Sequence, residues 1–566
     1  MQISLHGSGE KGSMHMEHEK KIRSFIESDL NFLVIEGAAG SGKTHLIGQI
    51  ACYLNHASID YYLLAPTGRA TRNLAARLRN ITEVQPSTIH SFLYEKTESD
   101  DQNSEIVQFK LKKPDITQDA VIIIDESSML SNQDNSDPLL KFGTGFLLND
   151  LLSFIDVQNT CRKVIFVGDA YQLPPINERS SITLDVERLK NFSHKNIEKI
   201  SLNQVYRQDT DSTILKTSNL LSEKIAEEKF LQLPIDLTSD DILDIDLDKA
   251  LDAYMWTYQK KSIFIAYTNQ EVHQINQKFR EKSHYSPNSL EKLERLILTR
   301  SCWINENKLY NGDFLYVKSV GTEEHRTISI SKKNQSLIVT LSFLTVTLFD
   351  PQNNINFTCK ILSHKLWNKN SEIEKIDELR ALIIDFRKRN PDLKPKTQEY
   401  IKKIKTDPNF NALHVSFGYA ITCHKAQGGE WDEAYISLYR PQNDLKTEGG
   451  FKWLYTAITR ARQKVCILYR PSEQEFDPSQ PFKFFLAKVQ IDLEEHHFRL
   501  VSHREIKYEL HLYIERSGIT TRFKMYRNDK MKLTTLMKIN ETEFSSALFE
   551  ILQRYVNTSL VEEQPK

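Results

Sequence analysis

Gly37, Gly40, Ser41, Gly42, Lys43 and Thr44 stand in the spacing G-x-x-x-x-G-K-[ST]. Glycines at those positions let a backbone curl until several N–H groups face one point, and a helix that starts there adds its partial positive charge. Such a loop cradles phosphate oxygens. Lys43 would reach the β- and γ-phosphates of a nucleoside triphosphate, and Thr44 would ligate Mg²⁺. Further along, Asp125 and Glu126 follow the apolar run Val121-Ile122-Ile123-Ile124. Asp125 would hold the same Mg²⁺, directly or through water. Glu126, one residue later, can orient and deprotonate an attacking water. A lone Asp-Glu pair after an apolar run reads as a solvated turn; beside a phosphate loop it reads as triphosphate hydrolysis.

These groups work only if the chain brings them together. Phe32-Leu33-Val34-Ile35 leads into the phosphate loop, and a helical stretch, His45 to Leu54, leads out of it. Tyr61 to Leu64, Val121 to Ile124 and Val164 to Val167 are further short, wholly apolar runs separated by helical patterns. Runs of that kind predict parallel strands covered on both faces, so the fold class is α/β. A parallel sheet would set Asp125, at the C-terminal end of its strand, next to the phosphate loop. A second α/β region opens at Ser262-Ile263-Phe264-Ile265-Ala266, resumes with His414 to Thr422 and ends near Leu468. Between its parts lie a β-rich stretch, where Ile338 to Leu341 and Leu344 to Phe349 alternate with period two, and a charged helical stretch, Ser371 to Lys405.

The resulting plan has six parts. Residues 1–16 are a disordered or tag-like start, and 17–208 form a first core with an insertion at 93–119. Residues 209–254, with seven Asp between Asp236 and Asp252, read as a solvated helix and linker. Residues 255–319 and 410–475 form a second core interrupted by an insertion at 320–409. Residues 480–566 make a C-terminal α+β segment, with a hairpin around Ser517-Gly518 and a helix over Ser545 to Tyr555.

A chain of 566 residues has room for this plan at about 150 residues per domain. Its 74 Lys plus Arg against 75 Asp plus Glu exclude polyanion binding through bulk charge, though not through a local channel. The stretch Arg387 to Lys405 is basic, a solvated helix face or a phosphate contact. Six Cys without a C-x-x-C pair exclude a disulfide scaffold and a thiolate zinc site. With no membrane-length apolar run and no secretory h-region, the expectation is a soluble, cytoplasmic protein that meets no membrane.

Further motifs carry a resemblance. Ala65-Pro66-Thr67-Gly68-Arg69-Ala70, Thr88-Ile89-His90-Ser91-Phe92, Asp125-Glu126-Ser127-Ser128-Met129 and Gly168-Asp169-Ala170-Tyr171-Gln172-Leu173-Pro174-Pro175 follow one another in the first half, closed by Val205-Tyr206-Arg207-Gln208. The second half holds Ala266-Tyr267-Thr268-Asn269, Tyr310-Asn311-Gly312-Asp313, the run Tyr419 to Gly428 and the run Leu454 to Arg462. In this order the set resembles superfamily 1B DNA helicases, the RecD, Dda and TraI group, over roughly residues 20–470.

The resemblance implies two tandem RecA-like P-loop NTPase domains, a strand-separating β-hairpin pin at 93–119 with Ile106 to Leu111 as one arm, and an SH3-like β insertion. It implies ATP and Mg²⁺ as cofactors, and single-stranded DNA and duplex junctions as partners, with 5′-to-3′ movement. By the same token Gln172 senses the γ-phosphate or its water and Tyr206 stacks on adenine. Gly428 belongs to the nucleotide set, and Arg207 and Arg460 are candidates to neutralise transition-state charge across a cleft. Pro66, Thr67, His90 and Phe92 would line one side of a strand groove, with Phe92 the stacking candidate, and Thr422 and His424 the other. The stretch Glu17 to Asp29 departs from the family pattern, because it lacks an adenine-reading Gln. Residues 480–566 fall outside the resemblance and are a candidate docking segment for a protein partner. Two other readings stay open: a DNA-stimulated ATPase subunit of a larger repair or phage-defence complex with little unwinding of its own, and RNA unwinding.

Overall fold

A computed structural model describes residues 9–96, 107–134, 140–176, 178–202, 212–230, 233–237, 239–258, 261–304, 307–332, 335–367, 375–395, 397–438, 444–468 and, with short interruptions, 485–556. It divides into two compact units, Met1–Arg470 and Pro471–Lys566.

The first unit opens with helix α1 (Gly9–Glu27), which begins inside the stretch 1–16 that the sequence assigned to a disordered start. The strands that follow are β1 (Phe32–Gly37), β2 (Tyr61–Ala65), β3 (Ser87–Thr88), β4 (Tyr94–Lys96), β5 (Val107–Leu111), β6 (Val121–Ile124), β7 (Leu140–Phe142), β8 (Lys163–Gly168) and β9 (Ile197–Leu202). Six of them form one sheet in the order β3-β2-β6-β8-β1-β9, with every neighbour parallel. All residues of β6 and β8 are buried, which is why these strands read as unbroken apolar runs. Helices α2 (Lys43–His56), α3 (Gly68–Leu78) and α4 (Ile89–Leu93) start directly after β1, β2 and β3.

Strands β4 and β5 are the antiparallel arms of the expected hairpin, Tyr94 opposite Leu111; its apex, residues 97–106, lies outside the described residues. The insertion reaches further than 119. Strand β7 pairs in parallel with β5, Phe109 opposite Phe142, and makes the hairpin a three-stranded sheet. Asp150, on helix α5 (Leu147–Ile155), fixes its base: the buried carboxylate accepts from Tyr94 Oη at 2.7 Å, Thr144 N at 3.0 Å and Thr144 Oγ1 at 2.7 Å.

The stretch 209–254 is not a linker. Strand β10 (Ile242–Asp244) is the edge of the second sheet, which also contains β11 (Ser262–Ala266). Ile242, Leu251 and Tyr254 are buried. Most of its acids are exposed, and two of them hold helix starts: Asp246 accepts from Lys249 N at 2.9 Å, and Asp241 from Ile214 N at 3.2 Å and Ser212 Oγ at 3.0 Å.

Strands β12 (Arg295–Leu298), β13 (Cys302–Ile304), β14 (Asn307–Leu309), β15 (Phe314–Lys332), β16 (Gln335–Asp350), β17 (Ile355–Leu362), β18 (Val415–Phe417), β19 (Ala420–Thr422), β20 (Trp431–Ser437) and β21 (Ala461–Leu468) complete the unit. The second sheet is parallel, in the order β10-β21-β20-β11-β19. A third sheet, β17-β16-β15-β12-β18, is antiparallel. This insertion does not start at 320, because β15 runs unbroken from Phe314 and pairs with β12 of the flanking core. The expected alternation holds in β16, where Val339, Leu341 and Phe343 are buried and Ile338 is exposed. In the basic stretch, Arg389 is bound by Asp407 at 2.6 Å and Asp385 at 2.8 Å.

The second unit is an antiparallel sheet of β22 (Arg499–Ile506), β23 (Glu509–Arg516), β24 (Ile519–Arg527) and β25 (Leu533–Lys538) in that order, with helix Ser545–Gln553 packed on one face through Leu548 and Leu552. Ser517 and Gly518 lie outside the described residues. Among the described residues of the chain, no helix is long and apolar enough to cross a membrane.

Candidate nucleotide and strand sites

The phosphate loop leaves β1 at Gly37 and enters α2 at Lys43. Gly40 and Gly42 take φ of 82° and 87°, a left-handed backbone that side chains with a Cβ seldom adopt, and this turns the loop back on itself. Lys43 Nζ donates to Gly37 O at 2.6 Å and Ala38 O at 2.8 Å, which holds the ammonium inside the loop. The buried Ser41 Oγ has no hydrogen-bond partner among the described residues. Parallel pairing through β8 places β6 in the same sheet as β1, so Asp125 emerges beside the loop. Asp125 is buried, and burial, then the neighbouring Glu126 charge, push its carboxyl well above the ordinary range against the pull of Lys43 and Arg77. Glu126 takes a left-handed φ of 50°, strained for a residue with a Cβ, and its buried Oε2 has no partner among the described residues. Gln172 is buried as well. Its Nε2 donates to Asp169 Oδ2 at 3.3 Å, and its Oε1 has no partner among the described residues. Lys43, Asp125, Glu126 and Gln172 thus converge on one end of the first sheet, as the spacing suggested.

The second core closes this site with residues that sequence reasoning passed over. Tyr455, buried on the helix Glu448–Ile458, accepts from Ala39 N of the phosphate loop at 2.9 Å and donates to Asp169 Oδ2 at 2.9 Å. Burial, then the Asp169 charge, raise its phenol well above the ordinary value, so it stays a donor. The Gln172 segment is gripped on both sides: Leu173 N donates to Thr456 Oγ1 at 2.8 Å, and Leu173 O accepts from Gln427 Nε2 at 2.9 Å. Arg77 Nη1 reaches Thr44 Oγ1 at 3.2 Å, while its Nη2 pairs with Glu430, which also holds Arg462 at 2.8 Å. Tyr455 did stand within a motif, in the helical run ahead of Arg460, but an aromatic there reads equally well as core.

Of the two candidate arginines, Arg207 lies outside the described residues, as does Tyr206. Arg460 is buried just past the C-terminal end of the Tyr455 helix and donates to Thr456 O at 2.9 Å, Thr459 Oγ1 at 3.2 Å and Gly429 O at 3.3 Å. Gly428 sits against α3 of the first core, where its carbonyl accepts from Asn73 Nδ2 and its φ is 70°. Gly68 is needed for another close approach, since a Cβ there would meet the Tyr310 ring at 2.0 Å.

The strand candidates divide. Thr67 caps α3, its Oγ1 accepting from Ala70 N at 3.2 Å, with Pro66 half-buried beside it. His90 is exposed on α4, edge-on to Phe142 at 5.1 Å between centroids. Phe92 is not presented for stacking: its ring packs against Tyr62 at 5.2 Å and Phe154 at 5.3 Å, at the margin of the first core. Thr422 precedes the helical turn Cys423–Ala426 and is half-buried like His424, whose imidazole pKa is lowered by burial. The two cores are pinned together here by Arg69, which donates to Lys425 O at 2.8 Å and to Gly312 O, and by the Arg72–Asp313 ion pair.

Comparison with known proteins finds similarity over parts of both cores. Residues 14–233 match an AAA domain family, and residues 417–468 match the UvrD-like helicase C-terminal domain. An uncharacterised protein of Acanthamoeba polyphaga mimivirus is 20% identical over 501 residues, which cover 79% of this chain and 97% of that protein. Among solved structures, a Pif1 helicase from Bacteroides in complex with ADP-AlF3 and single-stranded DNA is 16% identical, with a TM-score of 0.40 over 84% of this chain and 97% of that one. The Pif1 helicase of Candida albicans is 13% identical, with a TM-score of 0.38 over 85% and 98%. The first matched region contains the phosphate loop and Asp125-Glu126, and the second contains Gly428, Tyr455 and Arg460.

Proposed function

We propose that the chain is an ATP-dependent DNA helicase that moves 5′ to 3′ on single-stranded DNA and couples hydrolysis to duplex unwinding. The observation that carries this reading is the Tyr455 hydroxyl, which bonds to the phosphate loop at Ala39 and to Asp169 at once. A hydrolysis site shared in this way by two cores cannot change occupancy without changing their fit, and that is the requirement for turning hydrolysis into movement.

The residues present suit Mg²⁺ and a triphosphate: a buried carboxylate on Asp125, the Thr44 hydroxyl within reach of Arg77, a Ser41 hydroxyl without a partner among the described residues, and Lys43 held among loop carbonyls. Mg²⁺ held by Thr44 and Asp125 would neutralise charge on the phosphate oxygens. Glu126 Oε2 takes the proton of the attacking water, and Gln172 Oε1, also a free acceptor, aligns that water. Lys43 stabilises the charge that develops on the leaving phosphates. Arg460 belongs to the second core and supplies positive charge next to Tyr455. On the strand side, Thr67, His90, Thr422 and His424 contact the DNA backbone, the three-stranded hairpin sheet acts as the pin, and the antiparallel insertion plays the part of an SH3-like domain.

The test is an unwinding assay with 5′-tailed, 3′-tailed and forked duplexes, ATP and Mg²⁺. Unwinding of the 5′-tailed and forked substrates alone is expected. Robust single-strand-stimulated hydrolysis without unwinding of any substrate would instead favour an ATPase subunit.

A further inference from the structure

At the edge of the seam between the two cores two lysines converge, and among the described residues no carboxylate pairs with them. Lys112 stands just after β5, at the foot of the hairpin sheet, and its Nζ donates to Ser91 O at 2.5 Å. Lys308, on β14 of the second core, donates from Nζ to Ser91 Oγ. Two ammonium groups from opposite cores therefore converge on one serine. Among the described residues neither has an acidic partner within ion-pair range. Burial, then the Lys112 charge, lower the Lys308 pKa. Lys113 is exposed next in the chain, and His90 is exposed on the same short helix as Ser91.

Beside this cluster stands an aromatic that is left open. Trp303 lies directly opposite Lys308 across the β13–β14 pair, with the Lys308 ammonium 5.8 Å from its ring centroid, and is 64% exposed. Exposed Trp is uncommon without a partner, because its ring offers a large apolar face. Juxtaposed uncompensated ammonium groups and an open aromatic face match the two halves of a nucleotide: an anionic phosphodiester and a stackable base.

We propose that Lys112, Ser91 and Lys308 form a phosphodiester clamp for the single DNA strand, and that Trp303 stacks on the adjoining base. The inference rests on the strand-translocation reading above and adds to Ser91, which lies in one of its motifs, three residues that no motif contains: Lys112, Lys308 and Trp303. Because Lys112 and Ser91 belong to the first core and Lys308 and Trp303 to the second, one phosphate is held from both sides only while the cores keep this approach. Opening of the seam splits the clamp, so its grip follows the state of the hydrolysis site. The position also explains the replacement of Phe92, engaged in the core, by an aromatic no motif marks.

The test uses the full chain and fluorescence anisotropy of a labelled oligo(dT) and of an abasic oligomer of equal length, across a salt series. The Lys112→Gln/Lys308→Gln variant should bind both oligomers more weakly, and the slope of log affinity against log salt should become shallower by about 0.7 per lysine. Trp303→Ala should lose on the order of 10-fold on oligo(dT) and little on the abasic strand, with the salt slope unchanged. Slopes do not depend on the active fraction, and thermal melting of each variant checks folding. Wild-type affinity and slope in the lysine variant, or equal losses on both oligomers in Trp303→Ala, would overturn the clamp while leaving the translocase reading intact. Failure of the wild-type chain to bind either oligomer would remove that reading, and the clamp with it.

Discussion

The seam between the two cores has two ends of opposite chemistry. At the nucleotide end it is closed by matched pairs: Tyr455, Thr456 and Gln427 satisfy Ala39, Asp169 and Leu173 in buried hydrogen bonds, and Glu430 pairs with Arg77. At the other end Lys112 and Lys308 crowd one serine, and Trp303 faces solvent. The first end is complementary to the protein itself; the second is complementary to something the protein lacks. Buried hydrogen bonds are sensitive to small shifts, since a group left unpaired costs about 1–3 kcal/mol. Half-buried cations that still reach solvent respond to salt instead. One end is thereby suited to register the state of the nucleotide, and the other to hold and release a polyanion.

Three perturbations should separate the ends. The largest effect is expected from Lys43→Ala, which removes the cation inside the phosphate loop. Steady-state hydrolysis should fall by at least about 100-fold, while anisotropy shows single-strand affinity within about twofold of wild type. Loss of strand binding in that variant would show that the two ends are not separable. Next comes Tyr455→Phe, which keeps the ring and deletes only the hydroxyl between Ala39 and Asp169. Removing one member of a buried pair should slow strand-stimulated hydrolysis by roughly 10-fold, at about 1.4 kcal/mol, and lower the melting temperature by a few degrees. Unchanged stimulation by DNA would deny that this hydroxyl links the cores.

The smallest effect concerns pH. Burial and Glu126 raise the Asp125 carboxyl, and a raised carboxyl must lose its proton before it can hold a cation. Mg²⁺ affinity should therefore strengthen as pH rises through the neutral range, seen as a fall of several-fold in the Mg²⁺ concentration for half-maximal hydrolysis between about pH 6 and pH 8. Glu126→Gln removes the repelling charge and should flatten that dependence, measured on Mg²⁺-dependent nucleotide binding because hydrolysis itself will be slow. Folding stability carries the opposite sign. A carboxyl with a raised folded-state pKa binds its proton more tightly when folded, so its contribution to stability is present at low pH and lost as pH rises through that pKa.

The hydrolytic half of the site was legible because its residues are neighbours in sequence. Gly37 to Thr44 needs only its strand and helix, and Asp125-Glu126 only the end of β6. The strand half was less legible. Phe92 looked available because its neighbours Thr88, His90 and Ser91 sit in a motif, yet Tyr62 and Phe154, distant in sequence, claim its ring. The Asp-rich stretch read as a linker because the capping role of Asp241 and Asp246 depends on where helices begin, not on how many acids there are.

By itself the sequence determined the α/β class, the apolar strands, the phosphate loop and the order of the motifs. Each is a local property: periodicity, burial on both faces of a parallel sheet, or a backbone turn that only glycine accommodates easily. The tertiary structure decided which side chains from the second core reach the first. Tyr455 meets Ala39 across 416 positions of sequence, and Lys308 meets Ser91 across 217. Contacts over such separations depend on the packing of two sheets and leave no periodic trace, so a tyrosine in a helix and a lysine on a short strand become functional candidates only once the chain is folded.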